Sequence, residues 1–146
     1  MAGEDQDLSA HLGKNVELKA RVSHLATARK IALDLEAQPR GVQEQVDTYF
    51  VCAAGRLKLR QINGLGAELI WYARPDQPGA RTSLYHRAPV SHPETLKTVL
   101  GAALGILSVV QKRREIFLWH NVRIHLDEVA DLGRFIEFEA VLQADQ

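Results

Sequence analysis

Charge alternates with apolar residues at period two in several separate stretches of this chain. The last of them, Phe135-Ile136-Glu137-Phe138-Glu139-Ala140-Val141-Leu142, sets two carboxylates among apolar side chains. A strand turns successive side chains to opposite faces, so Glu137 and Glu139 share one face while Ile136, Phe138, Ala140 and Leu142 share the other. The same arrangement opens the chain in Val16-Glu17-Leu18-Lys19-Ala20-Arg21-Val22. It recurs in Arg56-Leu57-Lys58-Leu59-Arg60 and in Val122-Arg123-Ile124-His125-Leu126-Asp127. An ordinary sheet packed on a core mixes neutral polar residues and both charges on its wet face. Here each strand puts a block of charge there, with carboxylates at both ends of the chain and cations between. The pattern implies a closed or strongly curved sheet whose charged face is a working surface.

At 146 residues the chain is expected to form a single domain, 14–146, behind a polar tail of residues 1–13. Eighteen Lys and Arg balance eighteen Asp and Glu, so the net positive charge of a nucleic-acid binder is missing. Cys52 is the only cysteine, which excludes an internal disulfide and fits a reducing compartment. No apolar run reaches the roughly 18 residues that cross a bilayer, and the polar, acidic start does not resemble a signal peptide. A cytoplasmic protein, monomer or homodimer, is the expectation, with no nucleic-acid or membrane partner.

Residues 16–22 read as the first strand. Ser23 is placed to cap a helix that carries Leu25, Ala28, Ile31, Ala32 and Leu35 at helical spacing, and Gln38 to Gly41, with Pro39, ends it. Strands follow over 45–52, 56–62, 68–74 and 82–90, with a hairpin loop at Asn63-Gly64-Leu65-Gly66 and a loop over 75–79. Ser91-His92-Pro93-Glu94 has the form of a capping box before a second helix with Leu96, Val99, Leu100, Ala103 and Leu104, which stops near Gly105. Three strands, about 108–119, 121–129 and 134–142, complete an α+β, β-rich fold.

Two sets of residues carry chemistry. Lys19, Arg56, Lys58, Arg60, Lys112, Arg114 and Arg123 share one parity of their strands. If they converge, neighbours about 6 Å apart repel by roughly 3 kcal/mol at an effective dielectric near 20. A fold tolerates that only with an anion to bind or carboxylates in between; otherwise these residues form a solvated outer face. A polyphosphate, rich in oxygens that accept forked bonds from arginine, fits the convergent case. The acidic set is Glu17, Glu137 and Glu139, with Asp127 a possible fourth. It could reach a hard cation such as Mg²⁺ or pair with the basic set. His125 shares a face with Arg123 and Asp127. Cys52 is expected to be a small buried residue, Trp71 and Trp119 to pack outside the sheet against the helices, and Ser9, Ser23, Ser83 and Ser91 have no nucleophile context. Gly64-Leu65-Gly66 precedes a strand, not a helix, and is no nucleotide fingerprint.

The run Asn15-Val16-Glu17-Leu18-Lys19 resembles the Glu-x-Glu-x-Lys motif of the CYTH domain, the triphosphate tunnel metalloenzymes. Val46-Asp47-Thr48-Tyr49-Phe50, Arg56 to Arg60, Lys112-Arg113-Arg114, Arg123 to Asp127 and Glu137-Phe138-Glu139 are similar in order. Tyr72-Ala73-Arg74-Pro75-Asp76 and Ser83-x-Tyr85 resemble the class IV adenylate cyclase branch. The resemblance implies an eight-stranded antiparallel tunnel barrel with helices outside. It implies Mg²⁺ or Mn²⁺ on Glu17, Glu137 and Glu139, and a triphosphate (ATP, thiamine triphosphate or tripolyphosphate) gripped by Lys19, Arg56, Lys58, Arg60, Lys112, Arg114 and Arg123. Lys19, beside Glu17, would orient or deprotonate water in a hydrolase. A cyclase releasing cyclic AMP and pyrophosphate, or a non-catalytic binder, are the alternatives. Asn15 stands where the motif usually has its first glutamate, and the C-terminal helix into which family members usually continue is expected to be missing.

Overall fold

The computed structural model describes residues 12–73 and 78–142. Its elements are β1 (Leu12–Arg21), α1 (Leu25–Asp34), β2 (Gln38–Phe50), β3 (Arg56–Ile62), β4 (Gly66–Ala73), β5 (Arg81–Val90), α2 (Pro93–Leu104), β6 (Ile106–Trp119), β7 (Val122–Val129) and β8 (Gly133–Val141). The strands close into a barrel in the order β1-β5-β4-β3-β2-β6-β7-β8, and each neighbouring pair is antiparallel. Closure leaves a barrel with an inside and an outside, and the period of two assigns every strand residue to one of them. The aliphatic parity faces out, where the helices cover part of β2, β3, β7 and β8 and leave Leu18, Leu84 and Val109 exposed; the charged parity faces in.

α1 lies on β7 and β8. Its buried Ala28 and Ala32, with Ala37, meet Phe117, Ile124 and Leu126, and Leu25, Val122, Ile136 and Phe138 pack around them. Small helix residues let the backbone approach the sheet closely. α2 packs on β2 and β3, where Thr48, Phe50 and Leu59 are buried on the outward parity. The β7–β8 connection turns through Asp131 at φ 67° and Gly133 at φ 114°, left-handed values that Asp and Gly tolerate better than other residues. No helix among the described residues is long and apolar enough to cross a membrane.

Local details differ from the sequence reading. β1 starts at Leu12, and β2 already at Gln38; a register shift between Pro39 and Val42 accommodates the proline, which has no N–H to give to the ladder. His24 and His92, not Ser23 and Ser91, occupy the helix caps, and neither makes a side-chain capping bond. Glu94 instead accepts from Gln61 Nε2 at 2.8 Å and pairs with Lys97 at 3.1 Å. Cys52 is half-buried, with Sγ 3.0 Å from the Ala54 carbonyl. Trp71 donates Nε1–H to that same carbonyl and lies beside His86, and Trp119 meets His120 edge-on; these contacts are not with the helices. The expected tail, apart from its last two residues, lies outside the described residues, as do Arg74, Pro75 and Asp76.

Candidate functional site

Register brings the two ends of the chain together. Glu17 on β1 stands opposite Glu139 on β8, which stands opposite Arg123 on β7; one rung along, Lys19, Glu137 and His125 align in the same way. Lys112 and Arg114 of β6, the strand beside β7, and Lys58 and Arg60 of β3 point into the same interior, whose volume is about 290 Å³. Tyr72 and Tyr85 line the wall made by β4 and β5. Tyr85 lies directly across Gly13, where a Cβ would sit 2.0 Å from its ring, so a side chain at position 13 would displace Tyr85 from the wall.

Cations this close repel, and the chain resolves the repulsion with carboxylates set between them. Asp47, fully buried, accepts from Arg60 Nε and Nη2 at 2.8 Å each, with Lys58 Nζ at 3.6 Å and Lys112 Nζ at 3.5 Å. Burial by itself would raise the pKa of Asp47. The Arg60 hydrogen bonds and the charges of Arg60, Lys58 and Lys112 outweigh it and hold the carboxyl well below its usual range. Asp127 makes the equivalent forked pair with Arg114, both bonds 2.9 Å, and its pKa falls against burial for the same reason. Glu137 lies 2.9 Å from His125 Nδ1, 3.8 Å from Arg114 Nη2 and 4.0 Å from Lys19 Nζ. Its pKa is also lowered: burial opposes, while the His125 bond and the Arg114 and Lys19 charges prevail. Burial, reinforced by Arg114, lowers the pKa of His125, so its Nδ1–H donates to an ionised Glu137 as a neutral imidazole.

The lysines bear the cost of crowding. Burial, then the charge of Arg60, pushes Lys58 down to about 7 from 10.5. Burial, then Arg114, pushes Lys112 down to about 8. Lys58 Nζ also sits over the rings of Tyr49 and Tyr72, at 5.6 and 5.1 Å from their centroids. A polyanion bound in the interior favours the charged amines and raises both pKa values. Binding should therefore take up protons from about pH 7 upward to the ordinary lysine range, and affinity should fall as pH rises through that window. Below about pH 6 both amines are already protonated and uptake should vanish. Calorimetric titration of tripolyphosphate in two buffers of different ionisation heat, at about pH 6 and about pH 8.5, reads this directly. Equal proton uptake at both values would exclude the lysines.

Glu17, Glu137 and Glu139 line the interior, as do Lys19, Lys58, Arg60, Lys112, Arg114 and Arg123. Arg56, the first residue of β3, is exposed and outside this lining. Asp127 is behind the lining, with both oxygens engaged by Arg114, so it supports an arginine instead of facing a cation. His125 takes its place: one ligand atom from each of His125, Glu137 and Glu139 lie within 4.8 Å of one another, a cluster able to hold a metal ion. Asp47 is missed by the sequence reading, although it shares the inward parity of Gln45 and Tyr49 on β2; the register that sets it opposite Arg60 is visible only in the fold. Asn15 lines the interior with its Oδ1 buried and without a hydrogen-bond partner among the described residues.

The model of the CYTH domain matches residues 13–146. No curated protein sequence matches the chain. Among solved structures, the PH1012 protein of Pyrococcus horikoshii OT3 is similar at 27% identity and TM-score 0.72, over 89% of this chain and 79% of that one. A conserved hypothetical protein of Pyrococcus furiosus is similar at 18% identity and TM-score 0.76, over 89% and 80%. HpAC1 of Hippeastrum, an adenylyl cyclase candidate described as having a dominant triphosphatase activity, is similar at 14% identity and TM-score 0.63, over 90% and 80%.

Proposed function

The chain therefore belongs to the CYTH domain family, and from that premise we propose that it binds a triphosphate compound with a divalent cation inside the barrel and hydrolyses it. The observation that carries this reading is the division of one interior into two chemistries. Lys58, Arg60, Lys112 and Arg114 come from β3 and β6; Glu17, Glu137, Glu139 and His125 come from β1, β8 and β7, with Lys19 and Arg123 standing beside the carboxylates. A triphosphate offers many anionic oxygens to the first group. A hard cation suits the second, because ionised carboxylates are its preferred ligands and a neutral imidazole adds a nitrogen that Mn²⁺ accepts more readily than Mg²⁺.

Glu17, Glu137 and Glu139, with His125, would hold the ion. When bound, it supplies Lewis-acid polarisation and charge neutralisation at the phosphates. The protein's own groups do the rest. Asp47 and Asp127 fix Arg60 and Arg114 before substrate arrives, so their donors need no reorganisation as charge develops on the transferred phosphoryl group. Lys19, 4.0 Å from Glu137, is the residue proposed to orient the attacking water, with Glu17 on the same strand face as its partner. Arg123 adds a cation beside Glu139. HpAC1 illustrates that this fold hosts triphosphatase chemistry. A cytoplasmic setting accords with the single cysteine.

A second reading, a binder without turnover, is favoured by Asn15. It brings no charge where the family pattern has a glutamate, and its Oδ1 has no partner among the described residues. One experiment separates the readings: incubation with Mg²⁺ or Mn²⁺ and ATP, thiamine triphosphate or tripolyphosphate, with product identification. Orthophosphate supports hydrolysis, and cyclic AMP with pyrophosphate supports a cyclase instead. Thermal stabilisation by the triphosphate, absent with sulfate at equal ionic strength, but with no product, supports the binder. No stabilisation and no product from any of them would overturn the proposal.

A further inference from the structure

The interior has an annex. A second cavity, a groove of about 770 Å³, runs between the β3–β4 turn at Asn63 and Gly64 and the start of α2 at Ser91, Pro93 and Glu94. Three residues line both spaces: Ile62, Gln45 and Lys112. They are consecutive neighbours across β3, β2 and β6, with Gln45 opposite Ile62 on one side and Lys112 on the other. One rung of the barrel thus forms the threshold between the cationic interior and the groove.

Gln45 is the unusual member of that rung. It is only 2% exposed. Its Nε2 donates to Gln43 Oε1 at 2.7 Å, which orients the amide. The remaining oxygen, Oε1, is buried with no donor among the described residues. A buried acceptor without a donor is costly, and this one belongs to a residue that lines both spaces. The groove has no aromatic side chain in its lining, and its polar residues include Asn63, Gln61 and Gln111. It offers hydrogen bonds but no stacking surface for a planar ring.

We propose that the groove receives the organic part of the substrate, that this part is a hydroxylated, sugar-like group esterified to the triphosphate, and that Gln45 Oε1 accepts a hydrogen bond from one of its hydroxyls. This rests on the triphosphate reading above and sharpens it. The phosphate chain lies among the cations, the ester crosses the rung at Gln45, and the hydroxylated group fills the groove. Discrimination comes from the hydroxyl: a ligand without it leaves Oε1 unsatisfied, whereas the identity of any ring further out is not read.

Calorimetry with Mg²⁺ and five ligands tests this: tripolyphosphate, ATP, UTP and the 2′,3′-dideoxy forms of both nucleotides. ATP and UTP should bind alike. The dideoxy forms should bind about five- to tenfold more weakly, the scale of one neutral hydrogen bond to an otherwise unsatisfied buried group. Gln45→Met should remove that preference while leaving tripolyphosphate affinity within about twofold. Ser91→Phe, on the exposed rim of the groove, should weaken ATP and UTP but not tripolyphosphate, and it avoids any disturbance of the barrel wall. If tripolyphosphate binds but the hydroxyls make no difference in the natural protein, the groove assignment is overturned alone. If neither tripolyphosphate nor nucleotide binds, both readings are overturned.

Discussion

Asp47→Asn is expected to destabilise the ligand-free protein by about 3–5 kcal/mol, the range for removing one partner of a buried charge cluster. The change preserves shape and one carbonyl oxygen but deletes the negative charge that Arg60, Lys58 and Lys112 share. Those cations would then face each other in an interior that screens poorly. Two features make the prediction specific. Tripolyphosphate should recover much of the loss, since a bound polyanion supplies the missing charge and a ligand at 100 times its Kd adds about 2.7 kcal/mol. The variant should also gain more stability from tripolyphosphate than the natural protein does. Urea titrations with and without the ligand measure both effects. A variant as stable as the parent would mean that the three cations do not depend on Asp47.

Glu137→Gln should reduce metal-dependent turnover by at least about tenfold, equivalent to roughly 1.4 kcal/mol of barrier. Glu137 occupies the junction of the two chemistries: it meets His125, Arg114 and Lys19 and belongs to the cluster suited to a cation. The amide keeps a carbonyl acceptor for His125 Nδ1–H but loses the charge. The metal concentration for half-maximal activity should rise together with the loss of kcat. Glu139→Gln should act in the same direction. Full activity in both variants, with unchanged metal dependence, would remove these carboxylates from the site.

Much of the barrel was legible because period-two alternation is a direct consequence of strand geometry. All eight strands and both helices were anticipated, and the charged parity proved to be the inward one. The helix starts were misread for a physical reason. Ser23 and Ser91 have the right chemistry for caps, but a cap requires a backbone position as well as a side chain, and tertiary packing placed His24 and His92 there. Pro39 seemed to end a helix because a register shift that accommodates a proline is invisible in sequence. At the site, parity identified which residues face inward but not how deep they lie. Asp127 and His125 share a face, yet one is behind the wall on Arg114 and the other faces Glu137. Arg56 has the correct parity and misses the lining because it is at the end of its strand. Asp47 stood alone in its stretch without a second carboxylate, so its role emerged only when three strands brought cations to it.

If the inward parity of the barrel is a triphosphate site, two adjacent residues of β6 should differ in their effect on binding. Lys112 points into the interior beside Asp47, whereas Arg113 lies on the outer face with Glu44 at 3.6 Å. Calorimetric titration of Lys112→Ala and Arg113→Ala with tripolyphosphate and Mg²⁺ removes one positive charge in each case, one residue apart. Binding should be at least about tenfold weaker for Lys112→Ala, as for the loss of a charge-assisted hydrogen bond, and unchanged for Arg113→Ala. Equal losses, or a loss only in Arg113→Ala, would mean that the inward face is not where the triphosphate binds.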